Sequence, residues 1–249
     1  MIVERSMHPG WLSNTYLVAD RPGGHGVLVD TGAPPEPILE QVAALGLTVT
    51  HALLTHHHPD HVAHTDLYRE RLGVRVCGHP AERDRFGALD RELEHDDVVQ
   101  AGALEIRALH IPGHTRGQLA FLAGHADEQR VFTGDTLFRG SVGGTRGSGH
   151  GTFAELRRSI LDVLLGLPDG TVVHPGHTDE TTIGRERAEN PFVRRWLGLE
   201  PADDTPCTAF GQPATLLLRA RDYDGGTKCW VRFADGREDV VPGSRVQDG

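Results

Sequence analysis

Four histidines and an aspartate fall within seven residues in the stretch THHHPDH, Thr55 to His61. Within it, His56, His58, Asp60 and His61 form the pattern H-x-H-x-D-H. Imidazole and carboxylate are the donors a borderline cation such as zinc takes, and donors two residues apart on an extended turn can converge on one ion. Four donors from six residues exceed what one tetrahedral ion with an open position needs. Two neighbouring ions would use them all, and their charge would let the imidazoles crowd together. His57 lies between the candidate donors and is expected to point away from them.

These residues need elements that hold them still. Short runs rich in β-branched residues, TYLVAD, GVLVD, THALLT, LEIRALH, QLAFLA, RVFTGD and TVVHPG, read as strands ended by Gly, Pro or Asp. Between them PEPILEQVAALG, HVAHTDLYRERLG, TFAELRRSILDVLLG and IGRERAENPFVRRWLG show apolar residues at three- and four-residue spacing and stop at Gly, as helices do. Thr152 is the expected N-cap of the third, with Glu155 three residues on completing a capping box. The polar residues stand where strands end: Asp30 after GVLV, His56 after HALLT, His114 after HIPG, Asp135 after VFTG and His177 after VHPG. Strand-end loops are where a rigid scaffold presents its chemistry. The fold class expected is mixed α/β, a sandwich over residues 1–200. From residue 201 a linker-like PADDTPC leads into alternating runs joined by Asp224-Gly225-Gly226 and Asp235-Gly236, which are hairpin turns, so residues 201–249 read as a linker and a small all-β module of Tudor-like barrel type.

Composition narrows the partners. The 249 residues carry a formal charge of −10 and a single lysine, Lys228, with arginines scattered among acids, which disfavours a nucleic-acid surface. No run approaches the ~20 apolar residues of a membrane span, and the first residues lack the order of a signal peptide, so a cytoplasmic protein is expected. Cys77, Cys207 and Cys229 are odd in number and far apart, which fits reduced thiols. A small-molecule substrate, no nucleic acid, no membrane and, through the tail, a homodimer are the partners considered.

The order of these motifs resembles the metallo-β-lactamase superfamily over about residues 1–197: Asp30 in VLVDTG, the H-x-H-x-D-H stretch, His114 in IPGHT, Asp135 in FTGDT and His177 in HPGHT. The resemblance implies an αββα sandwich with metals at its edge. It implies that His56, His58 and His114 bind a first divalent ion and Asp60, His61 and His177 a second, with Asp135 bridging. Zinc is the first choice, iron or manganese the others. Paired cations bring a shared water from a pKa of 15.7 towards ~7, giving a bridging hydroxide as nucleophile while a metal polarises the carbonyl. Asp60 would orient that hydroxide or pass its proton to the leaving group, and Asp30 is the acceptor expected to fix a histidine tautomer.

An aspartate at the bridging position argues against a true β-lactamase. GDTLFRGSVGG and HPGHTDETTIGRERAENPF look most like the glyoxalase II group, the hydroxyacylglutathione hydrolases, so thioester hydrolysis leads. Two departures leave the thiol open: Gly144 stands where relatives carry Arg or Lys, with Arg146 two residues later, and the tail is β-rich rather than helical. Arg139, Arg146 and His150 are the candidates for substrate contact, although arginines in a Gly-rich loop ordinarily just solubilise. Asn14 and Tyr16 either line the cleft mouth or pack a strand; His110 and His174 read as hydrogen-bonded core histidines, and His25, His95 and His125 as surface ones. The alternatives are a mononuclear-iron persulfide dioxygenase using His56, His114 and Asp135, and a lactonase or esterase with the same ligands. The tail could be a partner-binding or dimer module that leaves the chemistry intact.

Overall fold

The computed structural model describes residues 1–124 and 128–249, so His125 lies outside the described residues. Two six-stranded sheets face each other. The first runs, edge to edge, Ile2–Met7, Asn14–Ala19, His25–Val29, Thr48–Leu53, Arg75–Gly78 and Arg91–Glu92; the second Thr181–Thr182, Val172–Pro175, Arg130–Gly134, Leu119–Ala123, Leu104–His110 and Val98–Ala101. Val18, Val27, Val29 and Leu53 from the first sheet meet Ile106, Phe121 and Phe132 from the second in a dry middle layer. Leu17, Leu28 and Ala52, one residue out of phase, point outward and are covered by Ile38 and Val42 of helix Glu36–Ala44 and Tyr68 of helix Thr65–Leu72. Alternation at period two thus feeds two cores from one sheet. Helices Phe153–Arg158, Ile183–Glu189 and Pro191–Trp196 cover the outside of the second sheet. The result is the αββα sandwich expected.

Several expected elements are interrupted for identifiable reasons. The helix expected over IGRERAENPFVRRWLG breaks at Asn190, which is extended (φ −68°, ψ 119°) because Pro191 excludes the helical conformation from the residue before it. The Asn190 side chain then accepts from the Phe192 and Val193 amides and starts a second helix. The run HVAHTDLYRERLG splits into Pro59–Val62 and Thr65–Leu72 around Ala63 and His64. Thr152 caps its helix with the reciprocal Glu155 bond of a capping box, but that helix passes into a π turn at Ser159–Val163.

Residues from Thr205 onward form a five-stranded antiparallel sheet with its own cluster of Cys207, Leu216, Cys229, Val231 and Phe233. The expected turns join Gln212–Arg221 to Thr227–Phe233 and the latter to Glu238–Pro242. Its other face is not free: Leu218 and Val240 belong to the core under the second sheet, and Trp230 packs on it. Among the described residues no helix is long and apolar enough to cross a membrane.

His174, only 4% exposed, stacks on Phe132 at 4.9 Å and meets Tyr16 edge-on in the middle of the sandwich. Burial, helped by Arg130, pushes it down to about 4. The unfolded histidine titrates near 6.5 and therefore takes up its proton first as pH falls, so the stability its burial contributes is full above pH 6.5 and drains away towards pH 4. Urea unfolding at pH 7 and pH 5 should show His174→Gln losing less stability over that interval than the wild type, by roughly 2 kcal/mol; an equal loss in both would remove His174 from the account.

Candidate metal centre

The strand ends converge at one edge of the sandwich. Strand Thr48–Leu53 runs out into Thr55–His58, helix Pro59–Val62 carries Asp60 and His61 back across the same edge, and loops after the second sheet's strands deliver His114, Asp135 and His177. The His177 loop is braced from below. Asn14 Nδ2 donates to the carbonyls of Pro175 and Thr178, and the Tyr16 hydroxyl donates to that of Pro175. Asn14 and Tyr16 are therefore buried braces of this loop rather than the mouth of a cleft.

Seven side chains meet there. His56 Nε2 and His114 Nε2 each lie 3.0 Å from His58 Nδ1. Asp60 Oδ2 lies 3.5 Å from His61 Nε2 and 3.4 Å from His177 Nε2, and those two nitrogens are 3.4 Å apart. Asp135 stands between the two sets, Oδ1 at 3.3 Å from His61 Nε2 and Oδ2 at 3.2 Å from His177 Nε2 and 3.7 Å from His114 Nε2. Three groupings, His56/His58/His114, His56/His61/Asp135 and Asp60/His61/His177, are each tight enough to hold a metal ion.

The outward nitrogens fix what the inward ones must be. The carbonyl oxygens of Ser148, Gly144 and Trp11 accept from His58 Nε2, His114 Nδ1 and His177 Nδ1, at 2.9 to 3.0 Å. A carbonyl can only accept, so each ring's single N–H is spent outward. Asp30 Oδ2 takes the N–H of His61 Nδ1 at 2.9 Å and the hydroxyl hydrogen of Thr55 at 2.8 Å. With its hydrogen committed there, Thr55 Oγ1 accepts from His56 Nδ1 at 3.0 Å. While the rings are neutral, five imidazole lone pairs and two carboxylates therefore face one another. Asp135 Oδ1 is buried with no hydrogen-bond donor. Such a cluster repels itself unless cations sit in it, so the donor set fits a pair of divalent ions.

The electrostatics agree. Burial pushes His56 well below its ordinary value, His58 below it, and His114 down to about 4, so all three offer lone pairs at neutral pH. Burial works to raise Asp135, but His177 and His61 hold it well below the usual carboxylate range. His61 is the exception: burial would lower it, yet Asp135 and Asp30 raise it well above the usual value, the mark of a place that attracts positive charge.

Asp30 itself sits in the left-handed region (φ 55°), unusual for a residue other than glycine. That turn lets one buried carboxylate take the Thr55 amide at 2.8 Å as well as Thr55 Oγ1 and His61. Glycines leave room nearby: a Cβ on Gly176 would come within 2.3 Å of Asp135 Oδ1, and one on Gly32 within 1.7 Å of the Asp60 carbonyl oxygen.

The three expected substrate contacts lie apart from the donors. Arg146 is drawn to Asp239 by two bonds (2.7 and 3.0 Å) and sits over the rings of Phe210 and Phe233. Arg139 faces Asp179 at 3.9 Å, and His150 Nδ1 bonds the Gly151 carbonyl at the edge of a separate cavity with Arg85 and Arg116. His57 does turn away, into the buried Glu82 at 2.8 Å, and Glu82 also takes the His57 and Gly117 amides. Sequence reasoning missed Glu82, and it missed Tyr223, whose ring stacks on His177 at 4.4 Å.

Residues 8–177 match the metallo-beta-lactamase superfamily, and the chain belongs to it. Among its relatives, the hydroxyacylglutathione hydrolase GloC of Haemophilus influenzae is 30% identical over 68% of this chain and 87% of its own length. Solved structures of like fold include ETHE1 from Myxococcus xanthus (TM-score 0.69, 31% identical, 80% of this chain and 92% of that one) and TTHA1623 in a di-iron-bound form (0.64, 35%, 75% and 98%).

Replacing Asp30 by Asn sets an amide N–H₂ against donors that need acceptors and loosens the His61 tautomer. Titration against a competing chelator should show metal held through His61 about 10- to 100-fold more weakly in Asp30→Asn; unchanged affinity would dismiss Asp30 as the group that orients His61.

Proposed function

We propose that the protein is a two-metal hydrolase of thioesters, of the glyoxalase II type. The observation that carries the reading is the convergence of five bare imidazole lone pairs and two carboxylates, one of which lies between the two sets. His56, His58 and His114 would hold one ion, Asp60, His61 and His177 the other, and Asp135 both. Bound there, two divalent ions supply an acidified water as nucleophile and Lewis-acid polarisation of the substrate carbonyl. The chain's residues do the rest. The carbonyls of Trp11, Gly144 and Ser148, with Asp30, keep each imidazole proton on the outward nitrogen, so the donors need no rearrangement during turnover. Asp60 is the one acid of the cluster with appreciable solvent access, its side chain 24% exposed against 9% for Asp135. It is therefore placed to take the attacking water's proton and return it to the departing sulfur. A thiolate leaves readily, so a single carboxylate suffices for that transfer. Likeness to GloC supports the thioester reading. Zinc is the metal we propose first, with the di-iron form of TTHA1623 favouring iron as the alternative.

A second reading, a persulfide dioxygenase with one iron on His56, His114 and Asp135, draws on the likeness to ETHE1. It leaves Asp60, His61 and His177 assembled to no purpose. A lactonase or esterase would use the same donors. Assays of thioesters, lactones and persulfides, run with metal analysis and an oxygen electrode, separate the three: thioester turnover without oxygen uptake is expected, and oxygen-dependent persulfide turnover with one iron per chain would overturn the proposal. His58→Ala is expected to abolish hydrolysis and lower the metal content with the circular dichroism spectrum retained; full activity in that variant would contradict the ligand assignment.

A further inference from the structure

The superfamily match ends at residue 177, yet the cavity that opens onto the metal donors has its second wall beyond that point. This cavity, of about 330 Å³, is lined by His114 and Asp135, by Phe138, Gly143 and Gly144, and by residues of the C-terminal sheet between Asp222 and Ser244. The sheet is locked in place there. Asp222 accepts from Ser141 Oγ at 2.8 Å, Lys228 Nζ donates to the Val142 carbonyl at 2.7 Å, and the Thr145 amide donates to the Val240 carbonyl. Tyr223 packs on both His177 and Phe138, with ring centroids 4.4 and 4.8 Å away.

The charges of this wall decide what it can take. Lys228 is 6% exposed and already neutralises Asp222 at 3.0 Å, so its ammonium is spent on the wall itself. Arg221 and Arg245 adjoin the lining residues Asp222 and Ser244 in sequence but do not line the cavity, Arg146 is held by Asp239, and Arg139 lies at Asp179. Among the described residues no other basic side chain lines the cavity. What remains is the apolar surface of Phe138 and Tyr223, the hydroxyls of Thr227 and Ser244, and the carboxylate of Asp224. Asp224 is exposed, accepts one bond from the Gly226 amide at 2.8 Å, and has no cationic partner among the described residues. A carboxylate- or phosphate-bearing tail would have to face Asp224 without a counter-charge, whereas an uncharged or ammonium-bearing tail would meet apolar surface, hydroxyl acceptors and one complementary charge.

We propose that the C-terminal sheet is the specificity wall of the active-site cleft, and that it selects thioesters whose thiol half carries no negative charge, with Asp224 the residue that rejects anionic thiols such as glutathione. This rests on the thioester reading for its substrate class. It also gives the tail a role inside the site, in place of a detachable partner-binding module.

The test uses the metal-loaded full chain and three acetyl thioesters: of thiocholine (cationic), N-acetylcysteamine (neutral) and glutathione (anionic). The kcat/KM values should rank in that order, with roughly fivefold or more between the extremes, the size of one screened surface charge. Asp224→Asn, which keeps the turn's acceptor, should flatten the order, and Asp224→Lys should reverse it, with metal content unchanged in both. The dissociation constants of the corresponding S-methyl thioethers, measured by calorimetry, should follow the same ranking. If the wild type hydrolyses none of the three thioesters, the thioester reading falls, and the thioether ranking alone judges the wall. A wild-type preference for the glutathione derivative, or a ranking that Asp224→Lys leaves in place, would overturn the inference.

Discussion

Nitrogen lone pairs 3.0 Å apart, with no hydrogen between them, are a source of repulsion that a fold has to contain. Here the containment is visible from outside the cluster. Each imidazole spends its one N–H on an acceptor behind it: the carbonyls of Trp11, Gly144 and Ser148, the Thr55 hydroxyl and the Asp30 carboxylate. Those acceptors come from four separate stretches of chain, so the cluster exists only when both sheets are assembled. The same arrangement makes the site a strong attractor of cations and a poor place for anything else.

The scaffold bears local costs to keep it. Asp30 occupies a left-handed conformation and a fully buried position, where burial pushes its carboxyl above the ordinary value even with His61 and Thr55 bonded to it. Asp135 is held ionised against burial by His177 and His61. Glycine at positions 32 and 176 leaves the space in which Asp60 and Asp135 sit. Strain and buried charge of this kind persist where the surroundings over-determine them, as at functional sites generally.

Much of this was legible before any coordinates, for a physical reason. The strands leading to Asp30, His56, Asp135 and His177 are short and apolar and give way to the polar residue directly or through a Thr or Gly, so pattern alone places each polar residue at a strand terminus. A mixed α/β sandwich and the two hairpin turns of the tail followed from the same alternation, whereas the αββα order of the layers was implied by the family resemblance. Other features depend on contacts far apart in sequence. Strand Ile2–Met7 buries only Ser6 fully, so it shows no apolar alternation to read. Arg146 looks like a free cation in a Gly-rich loop until Asp239, 93 residues on, takes it. Tyr223 and Lys228 look like ordinary hairpin residues until the tail folds back over Phe138 and His177. The chemistry sat in local motifs, whereas selectivity sits in tertiary contacts.

The tail's attachment ties these strands together. Its sheet packs Leu218, Val240 and Trp230 into the core beneath the second sheet while its hairpin reaches the donors, so one small module joins the stability of the sandwich to the shape of the cleft. All of it presupposes that the facing lone pairs are metal ligands. Elemental analysis of the purified full chain, combined with X-ray absorption at the edge of the metal found, tests that most directly. The account predicts two ions per chain, each surrounded by imidazole nitrogen and carboxylate oxygen. A chain that stays free of metal under excess zinc, iron or manganese, or whose bound metal shows no imidazole scattering, would contradict it.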